Sequence, residues 1–384
     1  MSLDDDARAE LAALDALHRR RVPRIVEGAQ GPTIQLAGAA VINLSSNDYL
    51  SLAADKRLSR AGEEALQEWG SGAGASRLIT GTQRLHVTLE QAVADWLRVG
   101  GVRLFNSGYA ANTGVLSTLV RAGDQVFSDE LNHASIIDGC RLSRAQVAIY
   151  PHGDVAALAA QLAGASDVGR KIVVTESLFS MDGDIVDLAA MSALCTRHGA
   201  ALIVDEAHAI GAIGPEGRGV CAEIGVVPDV VIGTFGKALG TFGAFAASSA
   251  AIAELLWNRA RSFVFSTALP PSIPAATLAA LEIVRSSEGH DRRRFLATLA
   301  RTFREAIPRA GGARESAIAP ILVGDDREVM QQTQRLLDAG IFVQGIRPPT
   351  VPEGTARLRV SLSSGHTMDQ LDRAIRLLAT EVPQ

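Results

Sequence analysis

Between Val102 and Ala247 the chain repeats one pattern: a short apolar run of strand length, a polar or glycine-bearing turn, then a stretch with helical spacing. The runs are Val102–Phe105, Gln125–Ser128, Val147–Tyr150, Ile172–Thr175, Ala201–Val204, Val230–Gly233 and Ala244–Ala247. Runs this short and this continuously apolar read as strands covered on both faces. Strands that alternate with helices predict an α/β fold, with a large domain built on a mainly parallel, seven-stranded sheet. In such sheets ligands bind outside the carboxyl ends of the strands. Two runs are richest there: the first delivers Asp205 and His208, the second Thr234 and Lys237. An acid, an imidazole, a hydroxyl and an amine are expected to converge.

The rest of the chain calls for a second domain, because 384 residues exceed what one core usually supports. At the N-terminus, Leu11, Leu14 and Leu17 predict an amphipathic helix from about Asp5 to Arg20, ending in the basic run Arg19–Arg21 and stopped by Pro23. A short helix is expected over Glu63–Trp69, and the glycine-rich Gly70–Thr82 reads as a close-approach loop. After Pro270–Ser272 comes a long helical region with a polar break at Arg285–Arg294. Strands at Ile321–Val323, Ile341–Gln344 and Leu358–Leu362, with helices at Glu328–Asp338 and Met368–Thr380, then make a smaller α+β domain. The expected division is an N-terminal arm at 1–50, a large domain at 51–284 and a C-terminal domain at 285–384.

Composition closes off several function classes. Hydrophobic residues make up 47% and charged residues 21%, which is ordinary for a compact α/β protein. A net charge of -5 argues against a broad nucleic-acid surface. The three cysteines, Cys140, Cys195 and Cys221, form no CxxC pair, so neither disulfides nor zinc are indicated and a reducing cytoplasm is expected. No basic segment followed by an apolar core opens the chain, so no secretory leader is expected. Ala238–Trp257 carries Glu254 as its only charge, yet its Gly, Ala and Ser content suits a buried strand and a core-facing helix better than a membrane span.

Lys237 follows a buried strand and lies between Gly236 and Gly240. A lysine partly desolvated in a cleft has a lowered pKa and can form a Schiff base with an aldehyde cofactor. Pyridoxal 5′-phosphate (PLP) is such a cofactor, and it needs a carboxylate at its ring nitrogen, a part suited to Asp205, which could equally cap the following helix. His208 could tune the cofactor's phenolic oxygen or be a satisfied core histidine. The strand-turn-helix sequence at Phe105–Asn112 makes Gly108 and Tyr109 candidates for a phosphate. His133 lies on the same sheet edge and could stack on a ring; Ser180 could contact the cofactor oxygen. Asp182, Asp184 and Asp187 depart from the calcium-loop spacing and read as turn and helix caps. The letters DEAH at Asp205–His208 also occur in nucleotide-driven helicases, but those need a GxxxxGK[ST] loop, and here Lys237 is followed by Ala238.

Taken in order, SSNDYL, FNSGYAANTG, NHAS, ESLFSMDGD, VDEAHAIGAIG, TFGKALG and STALPPS resemble the α-oxoamine synthases over nearly the whole chain. These are PLP-dependent enzymes of fold type I that join an amino acid to an acyl thioester with loss of CO2. The resemblance implies Lys237 as the Schiff-base lysine, Asp205 as the partner of the ring nitrogen, and His208 and Ser180 at the phenolic oxygen. It implies His133 stacked on the ring and Gly108, Tyr109 and Thr234 at the phosphate. Arg359 matches the arginine for the amino-acid carboxylate, and Arg19 and Thr350 match positions that touch the acyl substrate. The tail Ile346–His366 is similar to the branch that takes L-alanine and a pimeloyl thioester, carried on coenzyme A or an acyl carrier protein. A homodimer is implied, with Ser266 and Thr267 reaching the partner's phosphate. The family places glycine after the DEAH histidine, whereas Ala209 and Ile210 stand here, which would crowd the cofactor's edge.

Overall fold

Apolar side chains that alternate along a strand must be covered on both sides of the sheet, and this one has a separate core on each face. Val126, Ile172, Val174, Ile203 and Ile232 pack into one buried cluster. Phe127, Val173, Leu202 and Val204 pack into the other. The computed structural model describes residues 2–36, 38–166 and 168–381. Its seven-stranded sheet comprises β1 (Gly101–Phe105), β2 (Gln125–Asp129), β3 (Gln146–Tyr150), β4 (Lys171–Glu176), β5 (Ala200–Asp205), β6 (Val230–Thr234) and β7 (Ala244–Ser248), ordered β1-β7-β6-β5-β4-β2-β3. Every predicted run is a strand. β7 runs antiparallel to β1 and β6, and the other neighbours are parallel. Helices Gly108–Leu119 and Ala134–Ser143 contribute Val115, Leu116 and Ile136 to the first core, while Val155–Ala163 and Leu188–His198 contribute Leu158, Leu162 and Met191 to the second. Asp187 caps the last of these, its carboxylate accepting the Ala190 N–H at 2.9 Å.

The chain divides into two compact units. One holds this sheet and comprises residues 52–180 and 185–293; the other comprises 1–51, 181–184 and 294–384. The second unit has a three-stranded antiparallel sheet of β8 (Ile318–Gly324), β9 (Gln344–Ile346) and β10 (Ala356–Ser361), ordered β8-β10-β9. It also has a four-stranded sheet of Val26–Glu27, Thr33–Leu36, Ala39–Asn43 and Ile341–Phe342.

Three sequence expectations are corrected. The strand expected at Ile341–Gln344 is two strands: Ile341 and Phe342 pair with Ile42 and Asn43, whereas Gln344 pairs with Arg359. The N-terminal helix spans Leu3–Ala16 and ends before the basic run, because His18 turns into the left-handed region at φ 55 and the Arg19 and Arg20 N–H groups fold back onto the Leu14 carbonyl. The polar stretch Arg285–Arg294 interrupts the helix only at Ser286, and Ser287–Ala306 is one helix whose first turns hold a Glu288–Arg292 ion pair at 2.7 Å.

Candidate functional site

Parallel β2, β4, β5 and β6 end at one edge of the sheet, and their last residues are Asp129, Glu176, Asp205 and Thr234. The turn after β6 carries Lys237, half-buried, whose Nζ lies 2.7 Å from His208 Nε2 on the turn after β5. Gly240 lets the Lys237 turn pass against other backbone: its φ is +67°, and a Cβ there would sit 2.4 Å from the Ala53 nitrogen. Asp205 is buried, and its Oδ1 accepts the Ala207 N–H at 2.8 Å in the manner of a local cap. Its Oδ2 accepts from Asn112 Nδ2 at 2.6 Å. The Thr234 hydroxyl donates to the Gly243 carbonyl at 3.0 Å and accepts the Gly236 N–H at 3.2 Å.

Ala209 and Ile210, where the resemblance expects a glycine, are buried, and Ala209 packs in the second core. The close approach falls instead at Gly211, with φ +84°, where a Cβ would meet the Ala238 Cβ at 2.7 Å. The adjacent Glu206 serves structure: its Oε1 accepts the Cys221 N–H at 3.1 Å, and burial pushes its carboxyl up to about 7.

Gly108 and Tyr109 open helix Gly108–Leu119, whose cap is Ser107, accepting the Ala110 N–H at 3.1 Å. The space beside Gly108 is open, with nothing within 4 Å of a would-be Cβ, and the exposed Tyr109 donates its hydroxyl to Asp138. His133 caps helix Ala134–Ser143. Its residue is more than a third exposed, yet the walls around its ring desolvate it, and together with the Lys237 charge this lowers its pKa against the opposing pull of Asp205. Ser180 is half-buried on the turn after β4.

Three residues of this site lie outside the sequence reading: Glu176, Asn112 and Ser135. Glu176, buried, is the register neighbour of Asp205 and accepts the His133 N–H at 2.8 Å as well as the Ser180 N–H. Burial first, then the Asp205 charge, raises its pKa well above the carboxylate range, while Lys237 opposes the rise. Asn112 and Ser135 link Asp205 to His133 by hydrogen bonds. Their only sequence signal is position, near the starts of the helices that begin at Gly108 and just after His133.

The second unit holds the remaining candidates. Arg359 is buried, donating to Asn47 Oδ1 at 3.2 Å and to Ser361 Oγ at 2.8 Å, both neutral oxygens. Arg19 is engaged by Asp326 at 2.7 Å and by Glu353. Thr350 accepts from Arg21 at 2.9 Å, and both line a cavity of about 1000 Å³ with Arg24, Arg347, Leu36 and Met330.

The donor set fits PLP: an amine at Lys237, a carboxyl at Asp205, a hydroxyl at Thr234 and a helix start with open space at Gly108. Asn112 Oδ1 is in addition buried without a partner among the described residues. Residues 39–378 match the family model for aminotransferase class I and II. A serine palmitoyltransferase from S. paucimobilis, solved with bound PLP, superposes with a TM-score of 0.93 at 33% identity, covering 98% of this chain and 96% of the other. Fold and site together define a PLP-dependent transferase of fold type I. The 8-amino-7-oxononanoate synthase of Geobacter sulfurreducens is 50% identical over 361 residues, 93% of this chain and 92% of the relative. The solved 8-amino-7-oxononanoate synthase of Francisella tularensis has a TM-score of 0.76 at 30% identity, covering 89% of this chain and 98% of the other. The chain belongs to the 8-amino-7-oxononanoate synthase family of PLP-dependent acyltransferases.

Proposed function

We propose that the protein condenses L-alanine with a pimeloyl thioester, giving 8-amino-7-oxononanoate, CO2 and the free thiol of coenzyme A or an acyl carrier protein. The observation that carries the reading is the pairing of Lys237 Nζ with His208 Nε2 at 2.7 Å on turns that leave neighbouring parallel strands, with Asp205 at the end of one of them. The 50% identity to a relative of that name supports the reaction class.

When bound, PLP supplies an electron sink for the negative charge that develops at the substrate's Cα. Lys237 is the amine that would hold the cofactor's aldehyde and, once displaced by alanine, take and return the proton at Cα. His208 Nε2, 2.7 Å from the lysine Nζ, keeps its amine aimed. Asp205 would face the ring nitrogen, where its negative charge keeps a proton on the ring. Ser180 and His208 would contact the phenolic oxygen, His133 would cover the ring face, and Gly108, Tyr109 and Thr234 would hold the phosphate. Arg359 would bind the alanine carboxylate, a planar fork matched to a planar anion. Arg19 and Thr350 would meet the acyl substrate. In this reading the enzyme works as a cytoplasmic homodimer, with Ser266 and Thr267 serving the partner's phosphate. Among the described residues no helix is long and apolar enough to cross a membrane.

The test is a panel of amino acids and acyl thioesters with products identified by mass. L-alanine with a pimeloyl thioester is expected to give 8-amino-7-oxononanoate. Preference for glycine with an acetyl or succinyl thioester would instead assign another α-oxoamine synthase activity.

A further inference from the structure

The Asp205 and His133 side chains are joined through two residues, Asn112 and Ser135. Asn112 Nδ2 lies 2.6 Å from Asp205 Oδ2 and 3.0 Å from Ser135 Oγ. A carboxylate can only accept, so this edge of the amide is the NH2, and it donates in both directions. Ser135 Oγ, accepting from Asn112, lies 2.7 Å from His133 Nδ1 and is left with its own hydrogen to give. The Ser135 backbone N–H points at the same ring nitrogen at 3.2 Å. A backbone N–H can only donate, so it makes Nδ1 the acceptor and leaves the Ser135 hydroxyl to donate to the same nitrogen. Asn112 and Ser135 are buried, and Glu176 fixes the same histidine from its other side by accepting its backbone N–H at 2.8 Å.

We propose that Asn112 and Ser135 are positioning residues that tie the Asp205 carboxylate to the His133 ring and hold that ring as the tautomer protonated on Nε2. The consequence rests on the cofactor reading above: the group at the ring nitrogen and the group covering the ring face are set by one chain of hydrogen bonds. A shift of Asp205 would be felt at His133. The histidine would stay neutral with a fixed ring plane, its Nε2–H lying in that plane and its face left for the group it covers.

The test begins on the protein without cofactor, so that its outcome does not depend on the reaction. Nitrogen-15 spectra of the histidine rings should show His133 as a single tautomer, with Nδ1 unprotonated. Ser135→Ala removes the hydroxyl, keeps a good helix former at a buried position, and should give a tautomer mixture or a shifted Nδ1 resonance. Asn112→Ala should move the same resonance less, because the Ser135 hydroxyl still reaches the ring. In PLP titrations, Asn112→Ala should bind the cofactor about tenfold more weakly, the scale of one lost hydrogen bond to a charged group, and Ser135→Ala, which loses only neutral partners, by less. Thermal melting of the same samples checks that the fold is kept. The proposal is overturned if His133 is protonated on Nδ1 in the parent protein. Folded variants that leave its ring resonances unchanged would overturn it as well. If the ring responds as expected but no 8-amino-7-oxononanoate is made, the bracing stands and the reaction assignment fails.

Discussion

The unit that carries Lys237 and the unit that carries Arg359 assemble their candidate residues in opposite ways. In the first, Asp205, His208, Thr234 and Lys237 come from two adjacent strand ends within a short stretch of chain, and the sheet register alone brings them together. In the second, Arg19, Thr350 and Arg359 come from opposite ends of the sequence and are held by side-chain partners: Asp326 and Glu353 for Arg19, Arg21 for Thr350, Asn47 and Ser361 for Arg359. The difference teaches which losses should be chemical and which should be losses of affinity. Residues set by neighbouring strand ends suit bond making and proton transfer, whereas residues held through side-chain partners suit substrate choice.

The sharpest way to break the comparison is Lys237→Ala, which should cut kcat by about 10⁴-fold or more, the upper range for a positioned proton-transfer group. A variant retaining parent turnover would remove Lys237 from the chemistry. Next comes a stability test of the same unit. Glu206 is buried and its folded pKa is raised from 4.5 to about 7, so the folded state binds the proton more tightly than the unfolded state. Its contribution therefore favours folding below pH 4.5 and is lost as the pH rises from 4.5 through about 7. Glu206→Gln, which keeps an oxygen for the Cys221 N–H, should relieve up to about 3 kcal/mol of that loss. Tm measured between pH 5 and 9 should fall more steeply for the parent than for the variant, and parallel curves would show that Glu206 is ionised without penalty.

In the second unit the effects should be smaller and of another kind. Arg359→Lys keeps the charge but loses the planar fork, and it should raise KM for the amino acid roughly tenfold with kcat much less affected. A fall in kcat at unchanged KM would move Arg359 to the chemical side of the comparison. Smallest of all, Asp326→Asn removes one of two carboxylates from Arg19 and should cost no more than about 1 kcal/mol of stability, the scale of a partly exposed ion pair. Chemical denaturation measures it, and a loss several times larger would mean that Arg19 is fixed as firmly as Asp205.

The same contrast decides what was legible in the sequence. A strand running into Asp205 and another running into Thr234 and Lys237 can be read from apolar runs, because the residues that matter directly follow them. Glu176 has the same placement at the end of β4, but its carboxylate acquires meaning only when β4 lies beside β5 and the His133 turn folds onto it, and no local pattern states that. Asn112 reads as an ordinary helix polar residue until Asp205 is seen 2.6 Å away. In the second unit the basic run Arg19–Arg21 reads as a helix end, whereas Arg19 is claimed by Asp326, 307 positions on, and Arg21 reaches Thr350. The split of Ile341–Gln344 was hidden for the same reason, since the partners of its two halves lie at residues 42–43 and at Arg359.

The central claim is that Lys237 and its neighbours perform a condensation with loss of the amino-acid carboxyl group. Its most direct test supplies L-alanine labelled with carbon-13 at the carboxyl carbon together with a pimeloyl thioester. The account predicts one labelled CO2 for each 8-amino-7-oxononanoate formed, with no label in the product and none released by Lys237→Ala. Label retained in an acylated amino acid, or released without any pimeloyl thioester, would contradict it.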